Sequence, residues 1–209
     1  MKVIPFIYND IEELFANTYL VVDDSLSCVV IDPSKDNDKI VNYIKEHQFV
    51  PKAVLLTHTH FDHLRGAQRL VDAFNIPIYV GYDDEIGLKD QDYNLSSFMG
   101  LDITVKCESK TVLDNDIIHL LDEDIKVIYT PYHTLGGVCF YLEKSKLLFT
   151  GDSLFEGSIG RDDFPCSNPR FKESSLEKFK TLDDDIIIYP GHGGLSSIGR
   201  EKLINPFLR

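Results

Sequence analysis

The sequence predicts an α/β fold in which two β-sheets carry helices on their outer sides. Three observations support this: β-branched runs open the chain, segments of helical spacing follow, and a second strand-rich block fills the later half. Two sheets with helices outside satisfy that order, because each sheet buries one face on the other and one on helices. No fixed-period repeat, low-complexity stretch or linker interrupts the 209 residues, so one domain spanning 1–209 is expected.

Residues 1–32 read as strands. The runs 18–22 and 28–31 are β-branched and are separated by Asp23-Asp24-Ser25, a turn-forming cluster. Ile40, Tyr43, Ile44 and His47 then recur at helical spacing, after an Asp/Asn-rich start suited to an N-cap. The apolar run 53–56 is a short buried strand ending at Thr57-His58. A second helical pattern runs from His63 to Phe74, and 76–80 is another strand. Residues 82–110 are polar and mixed, and are expected to pass near a site entrance as helix or loop. Strand signals return at 117–121, 125–130, 137–142 and 146–150. Asp122-Glu123-Asp124 joins the first two and Glu143-Lys144-Ser145-Lys146 the last two, so two hairpins are expected. Residues 173–180 look helical, and 185–189 form a last buried strand cut off by Pro190-Gly191.

The formal net charge of −13 argues against a nucleic-acid-binding protein, which needs clustered Lys and Arg to replace phosphate counterions. There is no apolar signal core near the start and no run of about 18 apolar residues, so neither secretion nor membrane spanning is expected. Cys28, Cys107, Cys139 and Cys166 lie far apart without a C-x-x-C pair. Cys28 and Cys139 sit in apolar runs as small hydrophobes, which fits a reduced, cytoplasmic protein.

The histidines carry the chemistry. Three of the seven fall in His58-x-His60-x-Asp62-His63, directly after the strand 53–56. In an extended stretch residues i and i+2 share a face, so His58 and His60 converge on one ion. Where the chain turns into a helix, Asp62 and His63 face a second ion nearby. Imidazole with carboxylate suits zinc, iron or manganese, and no cysteine joins the cluster to make a closed thiolate site. Three further strands each deliver one ligand-type residue onto a Gly- or Pro-containing turn: His133 after 125–129, Asp152 after 147–149 and His192 after 186–189. His47 and His119 are expected to be structural or surface residues.

With these residues the chain resembles the metallo-β-lactamase fold superfamily, and more narrowly the small glyoxalase II-like metallohydrolases that lack a separate C-terminal helical domain. The H-x-H-x-D-H motif matches at 58–63 and the later His, Asp and His at 133, 152 and 192. Narrower matches are Gly157-Ser158-Ile159-Gly160-Arg161-Asp162-Asp163-Phe164-Pro165 and Pro190-Gly191-His192-Gly193, followed by Ile198-Gly199-Arg200-Glu201 and Asn205-Pro206-Phe207. The resemblance implies a four-layer αβ/βα sandwich, two mixed sheets between helices with the site at one edge. It implies two divalent ions, zinc being expected and iron or manganese the alternatives. His58, His60 and His133 would hold one, Asp62, His63 and His192 the other, and Asp152 both. Three positions depart from the pattern: Tyr132 replaces the usual Gly before the fourth histidine, Leu135 the usual Pro after it, and Cys166-Ser167-Asn168 a glycine-rich stretch. All border the pocket, so they bear on substrate more than on metal.

Two ions about 3.5–4 Å apart share a water and lower its pKa towards about 7, so hydrolysis needs no side-chain nucleophile. Asp62 is the expected catalytic residue, orienting the attacking water and passing a proton to the leaving group. The resemblance points to thioester hydrolysis, with S-lactoylglutathione or a related acyl thioester as the small-molecule substrate. Asp32 either accepts a hydrogen bond from a ligand histidine or caps the 38–47 helix. Arg161 either binds a substrate carboxylate or pairs with Asp162 or Asp163. Tyr132 either lines the pocket or fills space. The alternative activity is that of a mononuclear-iron persulfide dioxygenase of the same fold, with His58, His133 and Asp152 as its facial triad.

Overall fold

The computed structural model describes residues 1–8 and 14–209. Its first sheet is six-stranded and stands in chain order: β1 (Lys2–Phe6), β2 (Thr18–Val22), β3 (Ser27–Ile31), β4 (Val50–Leu56), β5 (Ile78–Gly81) and β6 (Ser109–Val112). The pairs from β1 to β3 are antiparallel and those from β3 to β6 parallel. The second six-stranded sheet is likewise in chain order: β7 (Ile117–Ile118), β8 (Ile125–Tyr129), β9 (Val138–Leu142), β10 (Leu147–Gly151), β11 (Ile187–Pro190) and β12 (Ser196–Ser197). Here only β10 and β11 are parallel. Both sheets are mixed, as expected.

The apolar runs are continuous because both faces of each sheet are buried. Period-2 alternation then sorts the side chains into layers. Tyr19, Val21, Val29, Ile31, Ala53 and Leu55 point from the first sheet into the core between the sheets, where they meet Val127, Val138, Phe140, Leu142 and Phe149. Their neighbours Leu20, Val22, Cys28, Val30, Val54 and Leu56 face outward. There they are covered by Ile40, Val41 and Ile44 of α1 (Lys39–Glu46), Leu64 of α2 (Phe61–Leu64), and Ala67 and Leu70 of α3 (Ala67–Phe74). On the far side, α4 (Lys172–Lys180) and α5 (Ile198–Ile204) place Leu176, Phe179 and Ile198 over Ile128, Cys139 and Leu148. The result is the four-layer αβ/βα sandwich. Each fully buried Leu, Ile or Phe in it contributes about 1.5–3 kcal/mol.

Several elements differ from the sequence reading. The helical pattern at 63–74 is two helices, because the Gly66 N–H donates to Pro33 O at 2.7 Å instead of continuing the ladder. Asp38, at the N-cap of α1, makes no side-chain cap; Asn37 Oδ1 accepts from Lys39 N at 3.0 Å in its place. Residues 82–110 hold two 3-10 segments, Tyr82–Leu88 and Ser97–Met99, and then the unanticipated β6. The strand at 185–189 is not the last, since β12 and α5 follow it. Among the described residues no helix is long and apolar enough to cross a membrane.

Candidate metal centre

Four strand ends meet at one rim of the sandwich. β4 ends at Leu56, and the extended residues 57–60 carry His58 and His60 to the start of α2, where Asp62 and His63 occupy the first turn. The second sheet supplies His133 past β8, Asp152 past β10 and His192 past β11. Two glycines let these ends close up. Gly151 has φ +48°, and a Cβ there would lie 2.2 Å from Thr57 Oγ1, across the sheet boundary. A Cβ on Gly191 would lie 2.4 Å from Asp152 Oδ1 and 2.6 Å from His63 Cε1.

All seven expected ligands come together. His60 Nδ1 lies 3.1 Å from His58 Nε2 and 2.9 Å from His133 Nε2. His63 Nε2 is 3.8 Å and His192 Nε2 3.2 Å from Asp62 Oδ2. Asp152 stands between the two groups, with Oδ2 3.4 Å from His133 Nε2 and Oδ1 3.2 Å from His63 Nε2 and 3.6 Å from His192 Nε2. Three overlapping sets result, each with donor atoms within 4.8 Å of one another: His58, His60 and His133; His58, His63 and Asp152; Asp62, His63 and His192. His63 Nε2 and Asp152 Oδ1 are buried and lack any hydrogen-bond partner. Leaving such atoms unsatisfied costs about 1–3 kcal/mol each. A divalent cation satisfies both, so the donor set fits one.

The outward ring nitrogens decide which atoms face inward. His63 Nδ1 donates to Asp32 Oδ2 at 2.9 Å and His133 Nδ1 to the Arg161 carbonyl at 2.7 Å. His58 Nδ1 lies 3.2 Å from Thr57 Oγ1, whose hydroxyl donates to Asp32 Oδ2 at 2.6 Å. His60 turns the other way, with Nε2 3.2 Å from Cys166 Sγ and Nδ1 inward. Each contact fixes the ring's orientation and turns its other nitrogen to the centre. Burial, reinforced by neighbouring imidazoles, holds His58 well below the usual histidine range and His60 at about 3, so both stay neutral and able to bind a cation. Burial also opposes charge on His63, but Asp152, Asp32 and Asp62 outweigh it and hold its pKa well up. The imidazoles in turn keep Asp62 and Asp152 ionised against their own burial, His63 being the largest favourable partner of each.

Asp32 therefore sits behind His63 and Thr57 and does not cap α1; it takes a left-handed φ of +48° and accepts Thr57 N–H at 2.8 Å as well. Arg161 pairs with Asp163, through Nε at 2.5 Å and Nη2 at 2.8 Å. Tyr132 is fully buried, its ring in the core under α4 and its hydroxyl donating to Ser153 O at 2.6 Å, so it fills space. His47 stacks on Tyr43, and His119 is an exposed partner of Asp124.

One residue near the centre was expected only to border the pocket, and another escaped sequence reasoning. Cys166 lies under His60, and its segment also braces the turn at His133, since Ser167 Oγ donates to His133 O at 2.6 Å. Asp84 is fully buried and ties the 57–60 and 133–137 loops together by accepting from Thr59 N, Thr134 Oγ1 and Gly136 N. Its only sequence signal is that of an acidic surface stretch. Beside the ligands opens a cavity of about 330 Å³, walled by Leu14, Phe61, Leu95, Phe155 and Phe164.

A family model described as the metallo-beta-lactamase superfamily matches residues 11–192. The hydroxyacylglutathione hydrolase GloC of Haemophilus influenzae is 34% identical over 195 residues, covering 92% of each chain. The crystal structure of the B3 metallo-beta-lactamase BLEG-1 superposes with a TM-score of 0.91 at 33% identity over 99% of each chain. That of TTHA1623, in a di-iron-bound form, superposes with a TM-score of 0.83 at 32% identity, over 92% of this chain and 95% of that one.

Proposed function

The chain belongs to the metallo-beta-lactamase superfamily, and from that premise we propose that it is a binuclear metal-dependent thioesterase. The observation that carries this reading is Asp152, which turns one carboxylate oxygen towards each donor group, Oδ2 to His133 and Oδ1 to His63 and His192. We assign His58, His60 and His133 to one ion, Asp62, His63 and His192 to the other, and Asp152 to both. Neutral imidazoles with carboxylates suit zinc, with iron or manganese as alternatives; the relative TTHA1623 is known in a di-iron-bound form. Held there, such ions would lower the pKa of a bound water and polarise an acyl carbonyl.

The protein's own groups do the rest. Asp62 lines the cavity and is held ionised, so its carboxylate orients the attacking water and holds the proton that water loses. A thiolate leaving group needs little protonation, which matches a site with one carboxylate in that role. S-Lactoylglutathione, the kind of substrate the name of the Haemophilus relative implies, or a related acyl thioester is the proposed substrate.

Metal analysis of the purified protein followed by a thioester panel tests this. Asp152→Ala is expected to lose both metals. Asp62→Ala should retain part of the metal while losing roughly 10²–10⁴-fold in kcat. Full thioesterase activity in either variant would overturn the two-metal assignment. One iron per chain with sulfur-dependent oxygen uptake would replace the reading by a dioxygenase. Hydrolysis of a β-lactam in place of thioesters would replace it by the activity named for BLEG-1.

A further inference from the structure

We infer that Glu201 and Asn205 of α5 are positioning residues for the site: they pin the turn at 155–158, so that the Phe155 ring stands as a fixed wall of the cavity before substrate arrives. That wall meets substrate on the thioesterase reading above, whereas the pinning of the turn does not depend on it.

Glu201 is fully buried, although Leu203 and Ile204 of the same helix are exposed. A buried carboxylate has to be supplied with donors. Oε2 receives Gly157 N at 2.7 Å and Asn205 Nδ2 at 2.9 Å, and Oε1 receives Ser196 Oγ. Arg200 Nη1, 4.0 Å from Oε1, pairs more closely with Glu156, at 2.5 Å. Ser196 and Asn205 flank the helix itself, whereas Gly157 N comes from 44 residues away. Burying Glu201 and seating the turn are therefore one event. Gly157 stands at the tip of that turn, where its φ of +69° suits glycine. Asn205 is fully buried too. Its Nδ2 also donates to Ser158 O at 3.0 Å, the carbonyl that accepts Phe155 N at 2.9 Å.

The turn leads into the site at both ends. The Phe155 ring lines the cavity and stands edge-on to His192, with centroids 5.9 Å apart. Past the turn, Gly160 N donates to Asp152 O at 3.0 Å, and a Cβ on Gly160 would lie 3.0 Å from His133 Nδ1. Leu154 and Ile159 pack in the same apolar cluster as Ile198 of α5. Such packing is non-directional, so the hydrogen bonds decide which way the turn faces. The sequence segments 157–165 and 198–207 thereby form one unit, joined at Glu201 and Asn205.

Hydrogen exchange of the zinc-loaded protein, read by NMR, tests the pinning without turnover. The Gly157 amide is expected to be protected although its residue is part-exposed. In Glu201→Ala water can reach that amide, so the chain is expected to fold. Its amides at 155–160 should exchange roughly tenfold or more faster, while those of β9 and β10 keep their rates. Substrate must then order the turn itself, which should raise KM for a thioester roughly two- to tenfold, with kcat within about twofold and metal content unchanged. Glu201→Gln should recover both readings, since its amide oxygen accepts from Gly157 N and its amide nitrogen donates to Ser196 Oγ. Asn205→Ala frees Ser158 O but leaves Glu201 on Gly157 N; it should give smaller changes of the same kind, and it decides the matter should Glu201→Ala not fold. An unprotected Gly157 amide in the unsubstituted protein, exchange that rises evenly along the chain of the variants, or an unchanged KM overturns the inference. If no form of the protein turns over any thioester, the thioesterase reading falls, and the exchange rates still decide whether the turn is pinned.

Discussion

Every histidine facing the centre from the described loops presents one nitrogen inward, and for four of them the other is held by a nearby acceptor. Three of these acceptors are oxygens: Asp32, Thr57 and the Arg161 carbonyl. The fourth is the sulfur of Cys166, 3.2 Å from His60 Nε2. Burial pushes that thiol up to about 12, so it stays protonated and the sulfur accepts. Removing such a partner typically costs 10–100-fold in metal affinity. Cys166→Ala is therefore expected to weaken binding at the His58, His60 and His133 set by roughly 10–100-fold in a chelator competition. Cys166→Ser should restore most of the affinity, because a hydroxyl also accepts. Unaltered affinity in the alanine variant would show that His60 is oriented by packing alone. The clustering of these side chains was legible because three histidines and an aspartate crowd into positions 58–63. Cys166 was legible only as a residue bordering the pocket; its contact with His60 was not, since the two meet across 106 residues of chain.

At the scale of elements, the turn between β2 and β3 shows a side chain joining two sheets away from the metal ligands. Asp23 Oδ1 accepts from Ser25 N, Ser25 Oγ and Ser27 N, while Oδ2 accepts from Asp122 N, in the turn between β7 and β8. Burial opposes ionisation of Asp23, but these donors outweigh it and hold its pKa below the usual carboxylate range. The sign of the linkage follows. A depressed folded-state pKa contributes stability that is present above the unfolded value, near 3.9, and is lost as pH falls through the folded one. Asp23→Ala is expected to cost about 1.5–3 kcal/mol at neutral pH, as for hydrogen bonds to a charged group. The variant should also lose less stability than the unsubstituted protein between about pH 4 and pH 2. Denaturant titrations across that range check both, and parallel pH profiles would refute the second. This turn was readable from Asp23-Asp24-Ser25, as were both hairpins of the second sheet. β6 was not: three of its four residues, Ser109, Lys110 and Thr111, are polar, and its place is set by parallel pairing with β5. Helix α5 was equally hidden, because its capping contact is a single bond from Arg200 N to Ser197 Oγ.

For the whole molecule, the consequence lies in where the seven clustered side chains come from. His58, His60, Asp62 and His63 follow a strand of the first sheet, whereas His133, Asp152 and His192 follow strands of the second. Bound ions would therefore staple the two sheets at one rim. The core between the sheets is a separate bond: Tyr19, Leu55, Phe140 and Phe149 are buried in it whether or not an ion is present. The metal-free chain is thus expected to stay folded and to lose only the linkage free energy, RT ln(1 + [M]/Kd), which is about 4 kcal/mol per site at a thousand times Kd. With a shift of about 2–4 °C per kcal/mol for a chain of this size, chelation should lower the melting temperature by on the order of 10 °C per site. The transition should remain single, as expected if residues 1–209 act as one cooperative unit. Calorimetry of metal-loaded and chelated protein decides it. A chelated chain without a cooperative transition would mean that the ions, and not the inter-sheet core, hold the sheets together. An unchanged melting temperature would mean that the seven side chains bind no ion in the folded state.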